Sequence, residues 1–234
     1  EENFNGYFGS AEALPDNTAF KRYGISAKGA GLNWHPFDGR FDLAKNPNEP
    51  NRFGWVVEID PMDPTSTPVK RTALGRAAHE GAWVALTQDQ RAVVYSGEDA
   101  RFEYIYKFVS TGRMQPGGAK ANRHLLDEGT LHVARFDANG QGQWLPLVHG
   151  QGPLTAANGF ADQGEVLIKA RQASDLLGAT KMDRPEWGAV NPINGEVYMT
   201  LTNNSNRVSP TATPTGSQLK PDTANPRYYE DLKN

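Results

Sequence analysis

Apolar residues along this chain come in short bursts, alternating with polar ones and separated by turn-forming residues. The alternation is clearest over residues 102–109. Phe102, Tyr104, Tyr106 and Phe108 share one face, while Arg101, Glu103 and Lys107 take the other. That period of two predicts a half-buried strand whose aromatic stripe joins a core. Comparable runs predict strands over residues 53–60, 82–87, 92–95, 130–136 and 196–201. Asp137-Ala-Asn-Gly140 and Asn191-Pro-Ile-Asn-Gly195 punctuate them, and Asn-Gly supplies the positive φ that tight hairpins need. One short helix is expected where Val166, Ala170, Ala173 and Leu177 recur at helical spacing, with Gly178 at the C-terminal cap position. Residues 29–50 and 208–226 read as long loops.

A degenerate repeat runs through this pattern. Glu80 opens a strand, a turn and a second strand ending Val94-Tyr95, followed by Ser96-Gly-Glu-Asp99. Glu186 opens the same order, through Val197-Tyr198 to Thr202-Asn-Asn204. The two glutamates are about two repeats apart at the ~40–50 residues of a propeller blade. The expected fold is therefore all-β, a portion of a β-propeller whose inner strands begin near one channel.

Composition agrees. There are 24 Gly and 16 Pro with only 38% hydrophobic residues, which suits short strands and many turns and disfavours a helical bundle. A net charge of −3, without blocks of one sign, argues against a nucleic-acid binder or a polybasic membrane anchor, and no apolar run is long enough to span a membrane. With no cysteine, thiolate metal sites and Cys nucleophiles are excluded within this segment. The chain opens at Glu1 without Met or a signal sequence and is expected to be part of something longer.

The candidate chemistry is acidic. Glu80 and Glu186, if they open equivalent strands, bring two carboxylates to one channel mouth, where a hard cation is the natural counter-charge. Asp99, with Glu98 beside it, closes the first repeat and reaches the same region. Solvated surface carboxylates are the ordinary alternative. In Lys181-Met-Asp183-Arg184-Pro185-Glu186-Trp187, Arg184 is suited to gripping an oxyanion beside a metal held by Glu186. An Asp183–Arg184 ion pair in a structural turn explains the same residues. His79, next to Glu80, faces away in an alternating strand and reads as structural. Asn203 and Asn204 have the chemistry to donate amide oxygens to a cation, and equally mark an ordinary turn. No nucleophile elbow or phosphate-cradling glycine loop is present.

Several strings carry a specific resemblance: Glu1-Glu2-Asn-Phe-Asn-Gly-Tyr-Phe8, Gly54-Trp-Val-Val-Glu-Ile-Asp-Pro61, Lys70-Arg-Thr-Ala-Leu-Gly-Arg76, His79-Glu-Gly81, Glu98-Asp-Ala-Arg-Phe-Glu-Tyr-Ile-Tyr-Lys-Phe-Val109, Leu126-Asp-Glu-Gly-Thr130, Met182-Asp-Arg-Pro-Glu-Trp187 and Leu201-Thr-Asn-Asn-Ser205. In this order they resemble the PhoX-type bacterial alkaline phosphatases over nearly the whole chain. The resemblance implies that residues 1–234 are one segment of a six-bladed propeller, incomplete at both ends, whose mouth holds a mixed iron–calcium (Fe3+, Ca2+) cluster. It implies hydrolysis of small-molecule phosphomonoesters in the periplasm or outside the cell, after twin-arginine export of the folded protein. A monomer is favoured, with neither nucleic acid nor a membrane span involved.

Carried over by position, the opening acidic pair resembles an iron-ligand site, Glu2 more than Glu1. Glu80 resembles a metal-bridging carboxylate, Asp99 and Glu186 resemble calcium ligands, and Arg184 resembles a phosphate-binding arginine. The family's iron-ligating cysteine lies upstream of the acidic pair and outside this chain, so a complete cluster is not expected from the segment alone. A non-catalytic propeller binding a ligand or protein at its mouth is the alternative reading.

Overall fold

The computed structural model describes residues 1–233, so the expected end of the segment at Asn234 lies just outside them. It is mostly β. Strands β1 (Val57–Glu58) and β2 (Val69–Lys70) form a small ribbon. Then come β3 (His79–Leu86), β4 (Arg91–Glu98), β5 (Arg101–Glu103), β6 (Ile105–Arg113), β7 (Gly129–Phe136) and β8 (Gly142–Pro146). β9 (Met182–Asp183), β10 (Pro185–Val190) and β11 (Val197–Leu201) follow. The main sheet has the order β3-β4-β6-β7-β8 with every neighbour antiparallel. Two-stranded pairs β5-β9 and β10-β11 flank it, and the described strands close no barrel. Hairpin turns fall where Asn-Gly predicts them: Gly140 and Gly195 have φ of 81° and 75°.

Three expectations need correction. The strand over residues 53–60 shrinks to β1. The aromatic stripe is not one strand, because Phe102 takes a φ of 66° and the chain breaks at Tyr104. Tyr104, Tyr106 and Phe108 still enter the main core, but Phe102 is directed elsewhere and Glu103 is buried. The one helix is two, α3 (Gln163–Ile168) and α4 (Ala170–Leu177), parted at Lys169, and short helices α1 (Thr18–Arg22) and α2 (Gly118–Asn122) were not anticipated. Its apolar spacing was sound, since Val166, Ala170 and Ala173 are fully buried in the same core as Val133, Leu131 and Phe108, and Gly178 is the left-handed cap.

A second core made of Phe4, Phe8, Tyr23, Ile25, Phe41 and Leu43 orders the N-terminal region and packs residues 41–43 of the loop over residues 29–50, whose first half stays largely exposed. Ion pairs, some of them buried, join the two cores. Arg22 spans Glu103 and Asp175, while Arg171 pairs with Glu98 at 2.6 Å. Glu98 also accepts from the Ala78 amide at 2.9 Å. It is a fully buried structural carboxylate, which removes it from the candidate ligands.

The two repeat units are the hairpins β3–β4 and β10–β11, and β10 lies directly against β3 and β4. Trp83 meets Trp187 edge-on at 5.8 Å, with Gly188 beneath the Trp83 ring. At Gly97 the close approach leaves no room, because an added Cβ would lie 2.7 Å from the Pro185 carbonyl oxygen. Gly97→Ala must therefore push the hairpins apart, and is expected to cost about 1–3 kcal/mol in chemical denaturation. An unchanged unfolding midpoint would show that the hairpins are not held in this register.

Candidate active site

Each hairpin begins with an irregularity that aims its carboxylate. Between β3 and β4 the register shifts between His79 and Gly81, which makes Glu80 the extra residue of a bulge. A bulge turns adjacent side chains apart. His79 goes inward, buried, with Nε2 3.0 Å from the Gly75 carbonyl oxygen, as its structural reading expects, and burial lowers its pKa. Glu80 turns outward. β10 pairs with β11 through a similar shift between Pro185 and Gly188, which presents Glu186.

Glu80 meets Glu2 and Asp99, and one carboxylate oxygen from each of the three lies within 4.8 Å of the other two. Burial, followed by the charges of Glu2 and Asp99, raises the Glu80 pKa, while Arg184 pulls it down. Three carboxylates held this close repel each other, and only a proton or a cation relieves them. Asp99 Oδ1 is buried and receives no aligned hydrogen bond, although Arg184 Nε lies 2.9 Å away as an ion-pair partner. Three carboxylates gathered this closely fit a hard cation, which takes oxygen ligands.

Arg184 links this group to Glu186. Its Nη2 donates to Asp99 Oδ2 at 3.0 Å and lies 3.1 Å from Glu186 Oε1, and Nη1 donates to Asn203 Oδ1 at 3.3 Å. Glu80, Asp99, Arg184 and Glu186 thus converge at one end of the paired hairpins. At their other end is a cleft of about 610 Å³ between residues 84–90 and 190–195, which includes none of these groups.

Two alternatives fall away. Glu1 does not reach the cluster: its carboxylate accepts from the Gly54 and Trp55 amides at 2.7 and 3.2 Å and pairs with Lys70. Asp183 is not the partner of Arg184. It pairs with Arg207 at 3.1 Å and accepts from Asn204 at 2.8 Å, which gives Asn204 a structural role, while Asn203 serves Arg184. Nothing in the sequence marked Arg207, an isolated arginine beside a Ser/Thr/Pro-rich loop, although it is almost wholly buried.

A model of the family described as alkaline phosphatase PhoX matches residues 1–232. Among solved structures, Pseudomonas fluorescens PhoX in complex with vanadate, a transition state analogue, is similar at 57% identity with a TM-score of 0.88. That match covers 98% of this chain and 40% of the relative, so the chain spans well under half of that protein's length. No curated protein sequence matches it.

Proposed function

This chain belongs to the PhoX alkaline phosphatase family, and from that premise we propose that it carries part of the active centre of a metal-dependent phosphomonoesterase. The observation that carries the reading is the meeting of Glu2, Glu80 and Asp99 within 4.8 Å, with Arg184 bound across Asp99 and Glu186. Four separate stretches of sequence contribute to it. A structural turn needs no such convergence of like charge.

Glu2, Glu80 and Asp99 would hold the metal, and Glu186, which shares Arg184 Nη2 with Asp99, would serve as a calcium ligand beside them. The donors are all carboxylate oxygens, a set suited to calcium and to ferric iron. Bound there, such cations would supply positive charge to neutralise phosphate oxygens and to activate an oxygen nucleophile. The chain's own part is positional. Asp99 and Glu186 hold the Arg184 guanidinium through Nε and Nη2, so its plane is fixed beside the carboxylates and its Nη1 edge is preorganised to meet a phosphoryl group. Asn203 steadies the third nitrogen. The reading extends to a six-bladed propeller of which residues 1–234 are one segment, to export through the twin-arginine route, and to action on small phosphomonoesters as a monomer. No described helix is long and apolar enough to cross a membrane.

The test is made on the full-length protein. Elemental analysis is expected to find calcium and iron, and a chromogenic phosphomonoester to be hydrolysed. Chelation that removes calcium should abolish turnover, and added calcium should restore it. Undiminished hydrolysis after verified metal loss, or purified protein free of metal and inert toward phosphomonoesters, would refute the reading.

A further inference from the structure

Among the described residues four non-glycines have positive φ, and two of them meet where β5 pairs with β9: Phe102 (66°) within β5 and Arg184 (48°) in the step just after β9. Arg101 faces Asp183 and Glu103 faces Met182, so Phe102 is the bulged residue between them. A bulky side chain in this region is strained, and such strain persists only where the surroundings over-determine it. Both segments are functional in position: Phe102 follows Asp99 by three residues, and Arg184 is the candidate phosphate ligand.

One side chain touches both. Arg207 is 1% exposed, and its guanidinium carbon sits 5.0 Å from the centroid of the Phe102 ring. Its Nε donates to the Asp183 carboxylate at 3.1 and 3.3 Å, beside Arg184 in sequence. The remaining donors go to the Lys181 and Lys220 carbonyls, at 3.0 and 2.9 Å, and to Asp222 at 3.3 Å. Four N–H groups on a rigid plane are thereby spent on residues 181–183 and 220–222, while the guanidinium carbon lies over the Phe102 ring.

We propose that Arg207 is a positioning residue, a bolt that locks the Phe102 bulge to the Asp183–Arg184 step and so keeps the Arg184 fork on Asp99. This rests on the phosphatase reading for its kinetic consequence, though not for its geometry. Lysine at 207 retains the charge but not the plane, and cannot grip Asp183, two carbonyls and the Phe102 face together. Asp183→Asn weakens the same bolt from the other end.

Arg207→Lys and Asp183→Asn are made in the full-length protein, each alone and combined with Arg184→Ala. Each single variant is expected to melt cooperatively and to raise both KM and the inhibition constant of inorganic phosphate at least about tenfold, since small misplacements near the chemistry are costly. In the Arg184→Ala background the same changes should add nothing further, which a merely structural role would not produce. Crystal structures of the single variants should show the 2.9 Å approach of Arg184 Nε to Asp99 Oδ1 lost. Unchanged constants with that approach kept, an equal loss in the Arg184→Ala background, or failure of both variants to fold would overturn the proposal. A wild type that neither hydrolyses the ester nor responds to phosphate would refute the phosphatase reading instead, and the crystallographic distances would still decide the role of Arg207.

Discussion

Arg184→Lys in the full-length protein is expected to lower kcat/KM for phosphomonoesters by about 100- to 1,000-fold, the usual result of removing one preorganised donor from developing oxyanion charge. The reason is geometric. Lysine offers a point charge on a flexible stem, whereas Arg184 presents a plane already fixed by Asp99, Glu186 and Asn203. Inhibition by inorganic phosphate should weaken in step, because product and substrate present the same oxygens. Metal content and melting temperature should stay near wild type, since the Arg184 side chain is partly exposed and belongs to neither core. Steady-state kinetics, phosphate inhibition and a thermal melt measure all three. Retention of full, phosphate-inhibitable activity would reduce Arg184 to a spacer between two carboxylates.

The sequence exposed those parts of the fold that local chemistry dictates. Alternation and turn residues revealed the hairpins β3–β4 and β10–β11 and the turn that ends β7, though not β8, and helical spacing revealed the buried face of α3 and α4. The misses share a cause. A positive φ at Phe102 runs against the preference of an aromatic residue, so an unbroken alternating run concealed the break at Tyr104. At Lys169 a single residue leaves the helix without disturbing the apolar spacing on either side. Glu98 and Asp99 are neighbours of the same chemistry, yet Arg171, far along the chain, takes Glu98 into the interior and leaves Asp99 at the cluster. Adjacency suggested an Asp183–Arg184 pair, whereas the left-handed backbone at Arg184 accompanies their separation, with Asp183 on Arg207 and Arg184 on Asp99. Long-range partners of this kind leave no local pattern to read.

Glu80→Gln is expected to reverse its effect on stability according to whether calcium is present. Without calcium, Glu80 faces Glu2 and Asp99 with no cation between them, and burial and those charges raise its pKa. Glutamine keeps the shape and deletes one of the three charges, so the metal-free variant should melt above the metal-free wild type. With calcium the order should invert. The wild type gains binding free energy that only the folded state collects, and the variant loses most of that gain with one anionic ligand gone. Charge count moves calcium sites across several decades of Kd, so a loss of at least about 100-fold in affinity is expected by calorimetric titration. An ordinary surface glutamate would show neither the crossover nor the loss of affinity. The same is true of one whose role is to pair with Arg184, because its removal would lower stability in both conditions. Parallel melts of the metal-stripped and calcium-loaded proteins separate the three cases, and coincident shifts in both states would show that Glu2, Glu80 and Asp99 are not a cation site.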